Sequence, residues 1–277
     1  MANHLVCGKF RLSLERPLVM GIVNATPDSF SDGGRFLDPA QAVAHARLLV
    51  DEGADLLDIG GESSRPGAQP VPVEEELRRV LPVIEALAGL GVPLSIDTVK
   101  PEVMRRAVAA GASLINDIAS LQAPGALEAA AETGAAVCLM HMQGEPRTMQ
   151  AAPSYGDVVA EVRGFLARRV AAATRAGIAA ERIVVDPGFG FGKRLEHNLA
   201  LLRHLGRLAE LGACVLAGLS RKSMLGEITG RKVSLRDTAS AAAALLAAQN
   251  GAKILRVHDV AATRDALAVW QAVAQQD

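Results

Sequence analysis

The run VMGIVNATPDSFSDGG, residues 19–34, decides how this chain folds: an apolar strand ends on Asn24 and passes into a polar, glycine-bearing loop. The same grammar recurs to the C-terminus, with short apolar runs closing on a carboxylate, amide, lysine or histidine. It predicts strands at 18–24, 55–60, 93–97, 113–117, 135–141, 183–187, 214–219 and 253–258. Helical periods fill the intervals at 40–52, 74–90, 101–110, 125–133, 157–176, 196–211 and 234–250, and one at 261–275 closes the chain. Thr98 with Pro101 suits a helix start, and Gly53, Gly91, Gly111, Gly134, Gly177 and Gly251 suit helix ends. Eight strand–helix repeats without a linker rich in Pro, Gly or Ser point to a single α/β domain over residues 1–277, a (β/α)8 TIM barrel. A doubly wound open sheet is the competing arrangement. The segment before residue 18 reads as a short N-terminal β-hairpin closing the barrel floor.

Composition narrows the function classes. The 277 residues suit one α/β barrel, which takes about 250. A net charge of −1 argues against nucleic acid as the main partner, since phosphate backbones call for clustered excess Lys and Arg. No membrane partner is expected either: the most apolar run, Ala239–Ala248, is about half of the roughly 20 residues a span needs. Of three cysteines, Cys138 and Cys214 fall in apolar strands and Cys7 near the start, with no C-x-x-C, so buried thiols in a reducing cytosol are expected. The N-terminus alternates rather than presenting an apolar h-region, which fits a cytoplasmic location. The charge run Glu74–Arg79 reads as a solvated helix face, pairing Glu74 with Arg78 and Glu75 with Arg79.

In a parallel barrel the chemistry sits at the carboxyl ends of the strands. Those ends carry Asn24, Asp58 with Glu62, Ser63, Ser64 and Arg65, then Asp97, Asn116 with Asp117, His141, Asp186, Ser220-Arg221-Lys222-Ser223, and Arg256 with His258. Arg256 and His258 are two apart on a strand, so they share a face and suit a phosphate ester, or else a salt bridge to Asp259 or Glu62. Ser220–Ser223 lies where a strand turns into a helix, a place that favours anions, or is simply a basic turn facing solvent. Asp97, Asp186 and the Asn116 amide would grip a flat heterocycle with ring N–H and amino groups. Alternatively, each carboxylate pairs with Lys222 or Arg256 in a structural network. GFGFGK, residues 188–193, is not a P-loop, because the spacing fails and Arg194 replaces the Ser or Thr. His141 lacks a second histidine at zinc-ligand spacing, and no G-x-S-x-G is present. What remains is binding and polarisation rather than covalent catalysis by the protein.

Taken together, NATPDSFSDGG at 24–34, GGESSRPG at 60–67, IDT at 96–98, IND at 115–117, LMHMQ at 139–143, DPGFGFGK at 186–193, SRKS at 220–223 and RVHD at 256–259 resemble the dihydropteroate synthase family of folate biosynthesis. The resemblance implies a transferase that condenses (7,8-dihydropterin-6-yl)methyl diphosphate with 4-aminobenzoate. It implies that Asp97, Asn116, Met140, Asp186, Gly218 and Lys222 bind the pterin. Asn24, Ser64, Arg256 and His258 would take the diphosphate, Asn24 also binding Mg²⁺. Thr26, Pro27, Ser64, Arg65, Pro66, Phe191, Lys222 and Ser223 would frame the 4-aminobenzoate pocket. Asp97, Lys222, Arg256 and His258 are the expected catalytic groups, and the loops Thr26–Gly34 and Ser64–Pro66 the mobile pair that closes over the site. A homodimer and competitive sulfonamide inhibitors are further implications. Ser64 stands where many relatives carry Thr and keeps the hydroxyl, while Val99 and Ala25 depart from the pattern away from the chemistry. Two other readings compete: a pterin-dependent methyltransferase, and a non-catalytic paralogue that binds pterin and turns nothing over.

Overall fold

Apolar runs of four to seven residues form the walls of a closed barrel. In this computed structural model, which describes residues 3–26, 39–64 and 67–274, eight parallel strands follow one another around the ring. They are β3 (Leu18–Asn24), β4 (Leu56–Gly60), β5 (Leu94–Asp97), β6 (Leu114–Asp117), β7 (Ala136–Met140), β8 (Ile183–Asp186), β9 (Cys214–Ala217) and β10 (Ile254–Val257). β10 pairs with both β3 and β9, so the ring closes and the open-sheet alternative falls. Closure also leaves no strand edge of the barrel unpaired among the described residues. Side chains alternate along each strand. Val19, Val23, Leu57, Ile59 and Ile96 join the core shared with the helices, while Leu18, Met20, Leu56, Leu114 and Ile254 fill the lumen.

The floor is a hairpin of β1 (His4–Cys7) and β2 (Phe10–Ser13), as the N-terminal alternation predicts. Leu5 and Cys7 point up from it into the lumen cluster, and all three cysteines are buried there. Burial pushes the Cys7 and Cys214 thiols up to about 12, which keeps them protonated and inert. At Gly21, on the outward face of β3, a Cβ would meet Leu49 Cδ1 at 3.0 Å, so the missing side chain lets α1 (Pro39–Asp51) lie close on the sheet.

The remaining helices are α2 (Val73–Leu87), α3 (Pro101–Ala110), α4 (Ala126–Thr133), α5 (Val158–Arg175), α6 (Leu195–Arg203), α7 (Gly206–Ala209), α8 (Ser223–Thr229), α9 (Asp237–Gln249) and α10 (Val260–Ala274). Three differ from expectation. The helix predicted over 196–211 breaks into α6 and α7, because Asn250 Nδ2 donates to the Leu202 carbonyl at 3.0 Å and takes an acceptor from the last turn. The one predicted from 234 starts at Asp237, after a 3-10 turn at Val233–Leu235. α8 is a short helix that apolar periodicity alone did not mark.

The charge run on α2 is corrected as well. Arg78 pairs with Glu75, not Glu74, and Arg79 pairs with Glu75 while donating to the Gly61 carbonyl at 2.8 Å. Glu76 is fully buried and pairs with Lys100, which also pairs with Glu62. The face nearest the barrel rim is therefore a buried ion-pair network rather than a solvated surface. No helix among the described residues is long and apolar enough to cross a membrane.

Candidate active site

Because Val23, Ile59, Ile96, Ile115, Leu139, Val185 and Val257 pack outward, their strand neighbours Asn24, Asp58, Asp97, Asn116, Met140, Asp186 and Arg256 face the mouth of the barrel. Four of these form one hydrogen-bonded cluster. Asp58 Oδ2 accepts from Arg256 Nε at 2.6 Å and from Asn116 Nδ2 at 3.0 Å. Arg256 Nη2 donates to Asp97 Oδ2 at 3.0 Å. One guanidinium from the last barrel strand thus holds two carboxylates from β4 and β5, one of them fully buried.

The salt-bridge alternatives for Arg256 fail: its partners are Asp58 and Asp97, not Asp259 or Glu62. Asp259 accepts the Ala262 amide near the start of α10, and Glu62 is bound to Lys100. Asp97 does pair with Arg256, so the structural-network reading is half right. Asp186 takes another partner, accepting the Gly188 amide at 2.7 Å.

The electrostatics follow from burial. Desolvation, reinforced by Asp58 and opposed by Arg256, pushes the Asp97 carboxyl up to about 7. Desolvation also raises Asp186, against the Gly188 amide and Lys222. Lys222 is lowered to about 8, by burial first and then by Arg256, with Asp186 and Asp97 opposing. Arg256 moves upward because Asp58 and Asp97 outweigh the desolvation that would lower it. Two carboxylates, a guanidinium and a lysine therefore share a pocket in which protonation of one affects the next.

GFGFGK folds as a tight loop under Lys222. A Cβ at Gly188 (φ +68°) would lie 2.0 Å from the His141 carbonyl oxygen, and one at Gly192 (φ +59°) 2.4 Å from that of Gln143. Only glycine fits either position. Lys193 reaches back into the loop, its buried Nζ donating to the carbonyls of Gly188 and Phe191, both at 2.9 Å, with His141 Nδ1 at 3.0 Å. Burial brings this lysine down to about 7 and His141 down to about 3. The loop so pinned sets the Phe191 ring 4.1 Å from Lys222 Nζ, a cation–π contact. Met140 and Met149 pack on Phe191, making an apolar wall beside the charged cluster. A Cβ at Gly218 would sit 3.9 Å from Arg256 Cβ and 4.0 Å from Asp186 Oδ2, so its absence leaves that floor flat.

The structure therefore brings together Asp97, Asn116, Asp186, Gly218, Lys222, Arg256, Met140 and Phe191. Asn24 ends β3, the strand between β10, which carries Arg256, and β4, which carries Asp58, and it lies in register with Gly60. His258 is held by Ser220, whose Oγ accepts the His258 amide at 3.2 Å and lies 3.0 Å from its Nδ1. No hydrogen bond or ion pair links Ser64 or Ser223 to the cluster among the described residues; Ser64 is half-buried on its loop, and Ser223 is exposed at the start of α8. Thr26 is the last described residue before the first loop. Pro27, Arg65 and Pro66, with most of both predicted mobile loops, lie outside the described residues.

Two rim candidates turn out to be scaffold. Asp117 accepts the amides of Ala119 and Leu121 at 2.6 and 2.9 Å, and His141 packs against Phe165 and Lys193. Among the rim residues that sequence reasoning left without a role, Asp58 is the one the structure puts at the centre of the cluster. Its signal was available: it sits two residues before Gly60 in LLDIG, on the inward side of an otherwise apolar strand.

A family described as pterin binding enzyme matches residues 20–258 of the chain. A dihydropteroate synthase of Escherichia coli strain K12 is 54% identical over 262 residues, covering 94% of this chain and 93% of the relative. A solved Xanthomonas albilineans dihydropteroate synthase with 4-aminobenzoic acid is 60% identical, with a TM-score of 0.94 and full coverage of both chains. Another structure of that enzyme, in complex with 7,8-dihydropteroate, superposes with a TM-score of 0.91 at 58% identity over 99% of this chain and 100% of the other. A Yersinia pestis dihydropteroate synthase in a sulfonamide drug complex is 50% identical, with a TM-score of 0.94 and coverage of 98% and 99%.

Proposed function

The chain belongs to the dihydropteroate synthase family of pterin-binding enzymes, and from that premise we propose how its rim residues divide the reaction. The family's enzymes are transferases that join (7,8-dihydropterin-6-yl)methyl diphosphate to 4-aminobenzoate, releasing diphosphate and 7,8-dihydropteroate. The observation that carries the division of roles is the cluster of Asp58, Asn116, Asp97 and Arg256 at the barrel mouth, with Lys222 and Phe191 beside it.

In this reading the donor edge of the pterin meets acceptors: the carboxylates of Asp97 and Asp186 and the amide oxygen of Asn116. Asp58 Oδ1, without a partner among the described residues, adds a buried acceptor at the same end. Gly218 leaves room for the flat ring, and Met140 with Phe191 covers it. Arg256 and His258 hold the diphosphate with Asn24 and Ser64. The bond from the pterin methylene to the diphosphate oxygen breaks first, and both electrons leave with diphosphate. The ionised Asp97, held in place by Arg256, eases the positive charge left on the pterin, a preorganised electrostatic role. The amine of 4-aminobenzoate, framed by Thr26, Pro27, Ser64, Arg65, Pro66, Phe191, Lys222 and Ser223, then forms the new C–N bond and loses its proton. Closure of the two loops would shelter that cation from water.

Magnesium belongs to the same proposal. Among the described residues no group of three or more His, Cys, Asp or Glu is arranged to hold an ion. A lone hard donor such as the Asn24 amide oxygen suits a Mg²⁺ that arrives on a diphosphate and keeps several waters. When bound, the ion supplies neutralisation of the leaving group's charge. Sulfonamides that compete with 4-aminobenzoate, a cytoplasmic location suited to three buried thiols, and a homodimer complete the reading. All three rest on family membership, and sedimentation of the purified chain checks the dimer.

The experiment is diphosphate release from the pterin diphosphate with Mg²⁺, with and without 4-aminobenzoate. Amine-dependent release with 7,8-dihydropteroate formed is expected. Pterin binding without release would instead identify a non-catalytic paralogue.

A further inference from the structure

The turn that carries Lys222 is strained and strapped from one side. Arg221, in the residue position before it, has φ +58°, a left-handed conformation that non-glycine residues hold only where surrounding contacts enforce it. Those contacts come from the chain just before and within the first turn of α9. Ser240 Oγ accepts the Arg221 amide at 2.9 Å, and Asp237 Oδ1 accepts Arg221 Nε at 2.8 Å. Arg236 does more: its Nη1 donates to the carbonyls of Arg221 and Lys222 at 3.2 and 3.3 Å, and its Nε to that of Arg231 at 2.9 Å. One planar guanidinium thus ties both peptide groups flanking Lys222 Cα to the segment that enters α9.

The guanidinium reaches these carbonyls because α8 offers it a notch. A Cβ on Gly226 would fall 2.1 Å from Arg236 Nη2, 2.4 Å from Cζ and 2.7 Å from Nε. Gly226 is interior to α8, where glycine is a poor helix former, and its φ is not positive. Local propensity therefore does not account for it, whereas the close approach of Arg236 does.

We propose that Arg236, seated on Gly226, is a positioning residue for the Arg221–Ser223 turn, setting Lys222 over Phe191 and Ser223 at the start of α8. It touches neither substrate and acts through the two carbonyls. The inference rests on the reading above that Lys222 and Ser223 frame 4-aminobenzoate.

Gly226→Ala is the discriminating variant. Alanine favours α8 and displaces only the end of a flexible side chain, so the fold is kept while Arg236 loses its seat. The expected result is an unchanged or raised melting temperature together with about a tenfold rise in KM for 4-aminobenzoate, the kind of loss a small misplacement produces. The KM for the pterin diphosphate should rise less than that for 4-aminobenzoate, since of its contacts only Lys222 is displaced while Asp97, Asn116 and Asp186 are untouched. Arg236→Gln should reproduce the effect, and the double variant should be no worse than either single, because both remove one contact. Wild-type kinetics in Gly226→Ala, losses that multiply in the double variant, or losses that track the melting temperature would each overturn the proposal. Lys222→Met separates this from the underlying reading: if it leaves the KM for 4-aminobenzoate unchanged, the framing role of Lys222 fails first.

Discussion

Asp58 and Asp97 share one guanidinium inside the barrel mouth, and their separate uses show how the same side chain is put to two ends. Asp58 is fully buried and bound to Arg256 and Asn116, so it orients those two groups. Asp97 makes one bond to Arg256 and keeps lone pairs for a ligand. Asp97→Asn should lower kcat about a hundredfold with little change in KM for 4-aminobenzoate, because the lost charge acts on the developing cation. Steady-state kinetics check this, and equal losses in both would count against it. A second expectation concerns pH. Asp97 must be ionised and sits at about 7, while Lys222 must be protonated and sits at about 8, so kcat/KM should rise through the first value and fall through the second. The limbs belong to the coupled cluster, and Asp97→Asn should abolish the acid one. For stability the signs follow from linkage. A carboxyl raised in the fold holds its proton more tightly than when unfolded, so Asp97 costs stability as pH rises from 3.8 towards 7. Lys222, lowered in the fold, returns stability as pH rises from about 8 towards 10.5.

At the scale of elements, the loop after β8 shows why a glycine-rich run need not bind phosphate. Gly188 and Gly192 face backbone carbonyls of the loop after β7, Gly190 faces the Lys222 side chain, and Lys193 turns inward to satisfy carbonyls that would otherwise be buried without donors. Gly188→Ala should therefore cost at least about 1 kcal/mol, since a left-handed φ and a 2.0 Å contact with the His141 carbonyl must both be relieved. The shift should carry Phe191 with it and raise the KM for 4-aminobenzoate. Denaturant melts with kinetics on the same sample test the pair, and normal stability with normal KM would refute it. The α2–α3 side works differently: Arg79 on the Gly61 carbonyl and Lys100 between Glu62 and Glu76 anchor the base of the loop that carries Ser64. That role was hidden in a charge run, because i,i+4 spacing is the same on a solvated face and on one turned against a barrel rim.

For the whole molecule, the barrel separates stability from chemistry, with the hairpin and lumen cluster at one end and the polar cluster at the other. Leu5→Ala, which empties a buried position on the floor, should destabilise by about 2–4 kcal/mol while leaving kcat/KM unchanged at temperatures where the protein is folded. A matching loss of kcat/KM there would contradict the separation. Strand order, helix alternation, the hairpin and the inward polar positions were all legible in the chain, because a period of two on strands and a repeating strand–helix spacing are local properties. The rim inventory was legible for the same reason. Local pattern could not tell which rim carboxylate Arg256 would choose, since Asp58 and Arg256 lie 198 residues apart and meet only when β10 closes against β3. Nor could it show that Lys193 turns inward or that Arg236 takes a seat on Gly226. Such choices depend on which side chains closure packs together, and on the desolvation that makes each buried charge seek a partner.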